Sequence, residues 1–299
     1  MNIVISGASG LIGTALVAQL KSEGHQVFPL VRRTAKTGEI YWNPATETID
    51  AAALAAAQPD AVIHLAGAGI GDKRWSDKYK QEILESRVKG TQVLARAIAG
   101  LAVKPRVFLS GSAIGVYGPR GDEVVDESTT PATNFFAKVC TEWEAAAKPA
   151  LDAGIRTVFL RTGIVLSRNG GALGKQLLIF KLGLGGKLGK GSQYQSWISI
   201  DDEVGAIIHL LTTDVSGAVN LTAPGAVTQA EFAKTLARTL RRPAFLPIPS
   251  FGPKLLLGSE LADALLFTGQ RVAPNALLAS GYGFHHATLD RALADILKK

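Results

Sequence analysis

The sequence predicts an α/β fold, built as a doubly wound parallel β-sheet with helices on both faces. Short, uniformly apolar runs alternate with longer amphipathic stretches through the first half of the chain. This alternation is the pattern of repeated β-α-β units. The 299 residues are 47% hydrophobic and 19% charged, a composition typical of a chain that buries a large core.

The first half of the chain supplies most of the predicted sheet. The apolar run Asn2–Ser6 is the first strand, and the amphipathic run Leu11–Ser22 is a helix that Gly24 ends, since glycine commonly follows a helix. The polar stretch 37–48 is predicted as a loop or β-excursion. Further strands are predicted at 26–31, 61–65, 106–110 and 157–160, and helices at 51–57, 77–99 and within 132–151.

The second half differs in texture, and we place a domain boundary near residue 161. Glycines crowd into 163–191 around a helix predicted at 173–182, and glycine-rich loops often fit around a ligand. A strand is predicted at 218–221 and helices at 202–212, 229–240 and 286–297. We therefore predict a small α-rich C-terminal substrate lobe that is interwoven with the sheet.

The net charge of +7 indicates an anionic partner. The basic residues are scattered in pairs and lack the interleaved aromatic residues of a single-strand nucleic-acid binder. We therefore expect a small-molecule partner and no nucleic acid. An anionic cofactor explains the charge, and whether the substrate is anionic as well stays open.

Cysteine content and apolar runs bear on the compartment. Cys140 is the only cysteine, which excludes an internal disulfide framework and favours a reducing compartment. No apolar run reaches the ~18 residues of a membrane span, and no secretory signal is visible. We predict a cytoplasmic protein with no membrane partner. No cluster suits zinc or calcium, so we expect no metal, and the oligomeric state is left open.

A glycine pattern between the first strand and the first helix predicts a dinucleotide site of the Rossmann type. Gly7 permits a tight turn, Gly10 lets the backbone approach the pyrophosphate, and Gly13 lets the helix pack closely on the sheet. The helix N-terminus offers N–H donors to the phosphates. The expected contacts are Gly7, Ser9, Gly10, Leu11, Ile12 and Gly13. An ordinary glycine-rich turn is the alternative.

The end of the second strand bears on the choice between NAD and NADP. An NAD site usually has an acidic residue there for the ribose 2′-hydroxyl, whereas this chain has Arg32 and Arg33. Guanidinium groups pair with a 2′-phosphate, so NADP is favoured over NAD. A solvated basic pair is the alternative. Residues 1–161 are thus predicted to be an NADP-binding Rossmann domain, and residues 162–299 the substrate lobe.

Motifs along the whole chain resemble the extended short-chain dehydrogenase/reductases. In order they are SGASGLIG at 6–13, HLAG at 64–67, VKGT at 88–91, SGS at 110–112, VYG at 116–118 and WISIDD at 197–202. YGPRG at 117–121, EWEAAA at 142–147 and QRVAP at 270–274 resemble an atypical branch of this group. Its members are similar to nucleoside-diphosphate-sugar epimerases and are often labelled NADP-dependent oxidoreductases or cell-division inhibitors.

The resemblance implies further cofactor contacts. Leu65, Ala66 and Gly67 leave the third strand and would border the adenosine and ribose. Arg87 stands where the larger group usually has asparagine, so it is expected to face the cofactor. Glu82, on the same helix, is a candidate to orient Arg87, with a solvated position as the alternative. Ser110 and Val165 complete the implied cofactor contacts.

The same resemblance implies a proton relay of serine, tyrosine and lysine, and this chain departs from it. Ser112 fits the serine position, but the tyrosine and lysine positions are occupied by Phe136 and Cys140. Tyr117 is a candidate substitute for the phenol, and a packed loop aromatic is the alternative. Ser112 has a turn hydroxyl as its alternative. For Cys140, a small buried residue is favoured over a nucleophile.

Three functions follow from these expectations. The leading one is an NADP(H)-dependent oxidoreductase of unknown substrate that binds a carbonyl at Ser112. The second is a regulatory protein that binds the cofactor without turnover. Sugar-nucleotide epimerisation shares the fold but needs the missing relay. The glycine-rich stretch 182–192, with Lys187 and Lys190, is a candidate to close over an anionic substrate, and a solvated loop is the alternative.

Overall fold

A computed structural model describes residues 1–244 and 247–298 and confirms the α/β class. The strands are β1 (Asn2–Ser6), β2 (Gln26–Val31), β3 (Ile40–Asn43), β4 (Thr48–Ile49), β5 (Ala61–His64), β6 (Val107–Ala113), β7 (Val124–Val125), β8 (Arg156–Thr162), β9 (Ile164–Leu166), β10 (Tyr194–Gln195), β11 (Trp197–Ser199), β12 (Gly217–Leu221), β13 (Val227–Thr228) and β14 (Arg271–Val272). The helices are α1 (Leu11–Ser22), α2 (Ala51–Ala56), α3 (Asp77–Ala99), α4 (Phe135–Ala145), α5 (Lys148–Asp152), α6 (Gly171–Lys181), α7 (Ile200–Thr212), α8 (Gln229–Leu240), α9 (Phe251–Leu257), α10 (Ser259–Ala262), α11 (Asn275–Ala279) and α12 (Leu289–Lys298).

Eight strands form the central sheet in the order β12-β8-β6-β5-β1-β2-β3-β4. All neighbours are parallel except β3 and β4, which are antiparallel. The chain moves outward from β1 in one direction through β2 and in the other through β5. A reversal of this kind opens a crevice at the carboxyl ends of the strands, where α/β sheets bind ligands.

The two faces of the sheet carry separate cores because side chains alternate along each strand. Ile3 and Ile5 pack with residues of α1 and α7 on one face. Val4 and Phe108 pack with residues of α3 and α5 on the other. Helices therefore cover both faces of the sheet, as expected for a doubly wound fold.

The second half of the chain is interwoven with the sheet, as the sequence predicts. β12 is one of its two edge strands, and α7 packs on α1. A further core surrounds Trp197 and Phe232 and joins α6, α8 and α12, which gives the helical C-terminal region. The domain boundary near residue 161 stays a prediction. In the part of the chain that is described, no helix is both long and apolar enough to cross a membrane.

The elements that the sequence predicts differ from the structure mainly at their ends, whereas six short strands were not predicted: β7, β9, β10, β11, β13 and β14. The stretch 37–48 contains β3 and the first residue of β4, which is the β-excursion alternative. The last helix begins at Leu289 rather than at His286. The reason is tertiary, because the His286 side chain bonds Ser199 and its backbone N–H bonds Asp202. These contacts hold His286 outside the helix.

Candidate cofactor and active site

In the glycine turn after β1, backbone atoms lie too close to Gly7 and Gly13 to leave room for a side chain. Gly7 has φ +74°, and a Cβ there would lie 2.8 Å from the Leu65 carbonyl carbon. A Cβ on Gly13 would overlap the carbonyl oxygen of Gly7. The Gly10 N–H donates to the same oxygen over 3.0 Å. Larger residues at positions 7 and 13 would therefore displace the turn from the start of α1.

The N-terminus of α1 keeps its donors free of side-chain caps. Gly10 is the N-cap residue, and no side chain accepts a bond from the first turn. Ser9 and Gly10 are exposed, Leu11 and Ile12 are half-buried, and Gly13 is buried. Unpaired N–H groups at a helix N-terminus bind phosphate groups. The turn and the helix start thus fit a pyrophosphate.

The turn is tied to the loop that follows β5. The Leu65 N–H donates to the Ser6 carbonyl over 3.2 Å, and the Ala66 N–H donates to Ser6 Oγ over 3.3 Å. Ser6 Oγ is also hydrogen-bonded to Nδ1 of His64 at 2.6 Å. His64 is fully buried, and this burial lowers its pKa to about 3. A neutral His64 therefore helps to hold both loops at neutral pH.

The two arginines after β2 have different surroundings. Both are exposed, but Arg33 binds Glu39 through two bonds of 2.7 and 2.5 Å. The hydrogen bond from Arg33 is the largest cause that lowers the pKa of Glu39 to about 2. Within the described residues the Arg32 guanidinium has no hydrogen bond or ion pair. Arg32 is therefore the arginine with donors available for a 2′-phosphate.

Arg87 is buried under the loop that follows β5. Its Nη1 donates to the carbonyl oxygens of Ala68 and Ile83, each at 3.0 Å. Its guanidinium carbon lies 5.0 Å from the centre of the Trp143 ring. A Cβ on Gly67 would be 3.2 Å from the same guanidinium carbon. Arg87 therefore lies directly behind the exposed Gly67.

Glu82 does not orient Arg87, which was one of the two roles that the sequence left open for it. Its carboxylate forms an ion pair with Lys73 at 3.5 Å, and half of the Glu82 side chain is exposed. Glu82 thus takes the solvated position that was the alternative. The carbonyl oxygens and Trp143 hold Arg87 instead.

A buried network of side chains connects β6, β8, β12 and α4. Ser112, Arg161 and Asn220 are aligned across the three strands. Ser112 Oγ donates to Glu144 over 2.6 Å, and Arg161 donates two bonds to the same carboxylate over 2.9 and 3.0 Å. Arg161 also donates to the Tyr117 hydroxyl over 3.0 Å. The Ser112 hydroxyl is thus held by a distant carboxylate and not by its own turn.

Tyr117 is an internal member of this network and does not fit the suggested role as proton donor. Its side chain is fully buried, and its hydroxyl donates to Asn220 Oδ1 over 2.7 Å. Burial raises the pKa of Tyr117 above its usual value. A phenol placed this way holds its proton inside the fold, which is the packed alternative. The local sequence gives no sign of this bond because Asn220 is distant from Tyr117 along the chain.

Phe136 and Cys140 lie one helical turn apart on α4, beside the turn that follows β6. A Cβ on Gly115 would be 3.2 Å from Cβ of Phe136 and 3.9 Å from Sγ of Cys140. Cys140 is buried, and its burial raises the pKa of the thiol to about 12. Lys138 points away, with most of its surface exposed, and pairs with Glu142. Cys140 is therefore a small packed residue and not a nucleophile.

The remaining predicted cofactor contacts, Ser110 and Val165, lie on β6 and β9. Ser110 Oγ is buried and has no hydrogen-bond partner among the described residues, and Val165 lies half-buried on β9.

Glu203, which the sequence reasoning did not single out, is fully buried on α7 and accepts a bond of 2.9 Å from Thr162. Burial raises the pKa of Glu203 to about 8. In sequence, an acidic first helical turn indicates dipole stabilisation and gives no sign of burial.

A cleft of 1190 Å³ runs along the flank of α1 towards α7 and the C-terminal tail. It includes Ser9 and Gly10 but no residue of the loop after β5, and neither Arg87 nor Ser112. We therefore do not assign it to the catalytic end of the site. Within residues 1–244 and 247–298, no group of three or more His, Cys, Asp or Glu side chains is placed to hold a metal.

Comparison with known families decides the relationship of the chain. The sequence profile of the NAD dependent epimerase/dehydratase family matches residues 3–222. The chain belongs to the NAD dependent epimerase/dehydratase family. A second profile, described as a domain of unknown function (DUF1731), matches residues 248–296. Within the family, this chain is an atypical extended short-chain dehydrogenase/reductase, as the motifs predict.

Individual relatives support this place in the epimerase/dehydratase family. An epimerase family protein of Mycobacterium bovis is 43% identical over 97% of this chain and 96% of its own length. The crystal structure of human epimerase family protein SDR39U1 with NADPH has a TM-score of 0.91 and 37% identity, covering 100% of this chain and 99% of that one. A UDP-glucose 4-epimerase of Thermotoga maritima, with TM-score 0.78, 16% identity and coverage of 100% and 99%, shares the fold alone.

Proposed function

We propose that this protein binds NADP(H) at the carboxyl ends of the central strands of the sheet. We further propose that it is an oxidoreductase acting on a small carbonyl or hydroxyl compound. The observation that carries the proposal is the turn from Gly7 to Gly13, where a side chain at position 13 would overlap backbone and the N-terminus of α1 has no side-chain cap. The human relative with 37% identity was crystallised with NADPH, which supports the same cofactor here.

Each part of the cofactor has a candidate partner. The N-terminus of α1 would hold the pyrophosphate, and Arg32 would bind the 2′-phosphate of the adenosine ribose. Leu65 and Ala66 would border the adenosine, since hydrogen bonds to Ser6 fix their backbone next to the turn. The end of β8 and the start of β9, with Val165, would run beside the nicotinamide. A bound nicotinamide would supply or accept the hydride.

Ser112 is the residue proposed to bind the reacting oxygen. Its hydroxyl is fixed by Glu144, and Glu144 is fixed by Arg161, so the oxygen lone pairs have a defined direction. An oxygen held this way can accept a hydrogen bond from a substrate hydroxyl. To bind a carbonyl oxygen, Ser112 would instead turn its proton from Glu144 to the substrate, and Arg161 would still hold both oxygens of that carboxylate. The small-molecule nature of the substrate and the cytoplasmic location remain predictions.

The second candidate is a cofactor-binding regulator without turnover. The residues that would form the family's relay favour it, because Phe136 has no exchangeable proton and the thiol of Cys140 stays protonated in its buried position. Tyr117 keeps its proton bonded to Asn220. No tyrosine and lysine pair one turn apart exists on α4.

One experiment separates the two candidates. The wild type and the Ser112→Ala variant are each incubated with NADPH and a panel of aldehydes and ketones. Oxidation of NADPH is followed as the loss of absorbance of its reduced nicotinamide. The oxidoreductase proposal expects turnover that S112A loses while it still binds NADPH. NADPH binding without turnover on any carbonyl favours the regulator, and no NADPH binding contradicts both.

A further inference from the structure

Three aromatic residues form a half-buried cluster beside the loops that follow β5 and β6. Trp75 lies in the loop between β5 and α3, and Phe135 and Phe136 are the first two residues of α4. The centre of the Trp75 ring is 5.0 Å from that of Phe135 and 5.2 Å from that of Phe136, each pair of rings edge to face. All three residues keep part of their surface exposed. We call these three residues the aromatic cluster.

Phe136 places the aromatic cluster next to the residue proposed to bind the reacting oxygen. A Cβ on Gly115 would be 3.2 Å from Cβ of Phe136, and Gly115 follows Ser112 by three residues in the turn after β6. Position 136 is also the one at which the family resemblance implies the relay tyrosine. Phenylalanine has the ring of that tyrosine without its hydroxyl, so the wall of the site at this position is apolar.

Trp75 and Leu265 add further apolar surface. Trp75 Nε1 donates to the Ile70 carbonyl over 3.0 Å, so the polar atom of the indole is engaged and the ring is left for apolar contacts. Leu265 is 41% exposed, and its Cδ1 lies 3.6 Å from the place that a Cβ on Gly71 would take. Because Gly71 and Trp75 belong to the same loop, an apolar side chain of the C-terminal region lies beside the loop that carries Trp75.

Two cations beside the aromatic cluster are engaged by the protein itself. Lys80 Nζ is 5.8 Å from the centre of the Trp75 ring and pairs with Glu260 at 2.6 Å. Arg74 donates to two carbonyl oxygens at the end of α9. The diphosphate of a nucleotide sugar needs donors that replace its water. Since both cations are engaged, this part of the site suits an apolar group better than a phosphate.

We propose that the substrate is an uncharged, apolar carbonyl compound, such as an aryl ketone, or the corresponding alcohol. Its ring packs between the aromatic cluster and Leu265, and its oxygen binds Ser112. This inference rests on the proposed function and names the class of its substrate. In the reduction the carbonyl carbon takes a hydride from NADPH and the oxygen takes a proton from solvent, so the ketone becomes an alcohol and NADPH becomes NADP⁺.

The aromatic cluster discriminates between an aryl substrate and a substrate rich in hydroxyl groups. An aryl group that moves from water onto aromatic rings gains from its buried area and from the ring contacts. The hydroxyl groups of a sugar would lose hydrogen bonds to water on the same surface, because these rings offer them no free donor or acceptor. The aryl compound is therefore the better fit.

The test follows the indole N–H signal of Trp75 by nuclear magnetic resonance, assigned as the signal that is absent from Trp75→Phe. NADP⁺ is titrated first, and the shifts of the protein signals give its affinity. Acetophenone, dihydroxyacetone and UDP-glucose are then titrated separately into the NADP⁺-loaded protein. Acetophenone cannot exchange a hydride with the oxidised cofactor, so its binding is measured without turnover.

We expect acetophenone to shift the Trp75 signal to saturation and to bind at least about tenfold more tightly than dihydroxyacetone, a difference within reach of one buried aromatic ring. UDP-glucose should leave the signal unchanged. Tighter binding of dihydroxyacetone or UDP-glucose, or no shift with acetophenone in a protein that binds NADP⁺, overturns the inference and leaves the proposed function standing. A wild type that does not bind NADP⁺ overturns the proposed function and this inference with it.

A variant of the aromatic cluster tests where the aryl group binds. Phe136→Asn replaces the apolar ring by an amide, and we expect it to weaken acetophenone at least about fivefold, the size of a lost aromatic contact, with NADP⁺ affinity unchanged. Tyr41→Ala is the control, because Tyr41 is an exposed aromatic residue on β3, four strands from β6 in the sheet. Y41A should match the wild type. Wild-type affinity for acetophenone in F136N overturns the inference.

A second variant keeps the test decisive if F136N does not fold. Leu265→Ser changes a partly exposed side chain, so the fold should accept it. We expect it to weaken acetophenone by about threefold, since one apolar contact of the ligand is lost, with no change for NADP⁺. Wild-type affinity for acetophenone in L265S overturns the placement of the ring between Leu265 and the aromatic cluster.

Discussion

The glycine turn after β1 and the side-chain network at the ends of β6 and β8 both lie at the carboxyl ends of the strands of one sheet. Different interactions hold the two regions in shape. The turn is built from backbone contacts among Gly7, Gly13 and Leu65. The network is built from side chains of Ser112 and Glu144 with their partners on β8 and β12. Positions 7 and 13 of the turn therefore require glycine, whereas the shape of the network depends on which side chains the fold brings together.

The largest effect is expected from filling the turn. In Gly13→Val the new side chain would overlap the Gly7 carbonyl, so NADPH binding should be lost and the free energy of unfolding should fall by about 3 kcal/mol or more. Calorimetry and denaturant melts measure the two effects. Gly252→Ala is the matched control, because a Cβ there meets open space. NADPH binding retained in G13V would show that the turn is not the pyrophosphate site.

The next effect tests the network as a unit. Glu144→Ala leaves Arg161 buried without its carboxylate, which should cost about 3 kcal/mol of stability. Binding of adenosine 2′,5′-bisphosphate should stay unchanged in the folded fraction, since the network does not touch the turn. Glu142→Ala, two residues earlier on α4 and with a partly exposed side chain, serves as the control. Weaker binding of the bisphosphate in E144A would mean that the two regions are coupled.

Glu203, which accepts a hydrogen bond from Thr162 at the end of β8, makes the stability of the protein depend on pH. Its pKa is raised to about 8 by burial, against 4.5 as the ordinary value, so between these values the folded state holds a proton that the unfolded state releases. Stability should therefore fall as pH rises from 5 to about 8. In Glu203→Gln this fall should be reduced, and the gain in Tm over wild type should be larger at pH 8 than at pH 5. Parallel Tm curves for the two proteins would contradict a protonated, buried Glu203.

The smallest effect concerns Tyr117. Tyr117→Phe removes the bonds to Asn220 and Arg161 and should cost about 1 to 2 kcal/mol. Because the phenol is internal, NADPH affinity and any turnover should remain within about twofold of wild type, a difference below one hydrogen bond. Thermal melts and the carbonyl assay measure both. Loss of turnover with intact folding would restore Tyr117 as the proton donor.

The sequence was sufficient for the regions where local pattern decides structure. The α/β class and the glycine turn follow from apolar alternation and from backbone geometry, which are local properties. The pairing of Glu144 with Ser112 and Arg161 joins residues on three elements, and nothing in the local sequence indicates it. The sequence left two roles open for Glu82 and for Tyr117 for the same reason, since their partners Lys73 and Asn220 are set by the fold. Arg161, directly after the apolar run 158–160 of β8, was the available signal for the network.

The central claim is that the turn and Arg32 form an NADP(H) site, and the most direct test is the ratio of NADPH to NADH affinity in the wild type and in Arg32→Asp. Arg32 has no partner within the described residues, whereas Arg33 is bound by Glu39. We expect a wild type that prefers NADPH and a variant in which NADPH weakens by about tenfold or more while NADH changes little. Equal weakening of both cofactors, or no preference in the wild type, would contradict the claim.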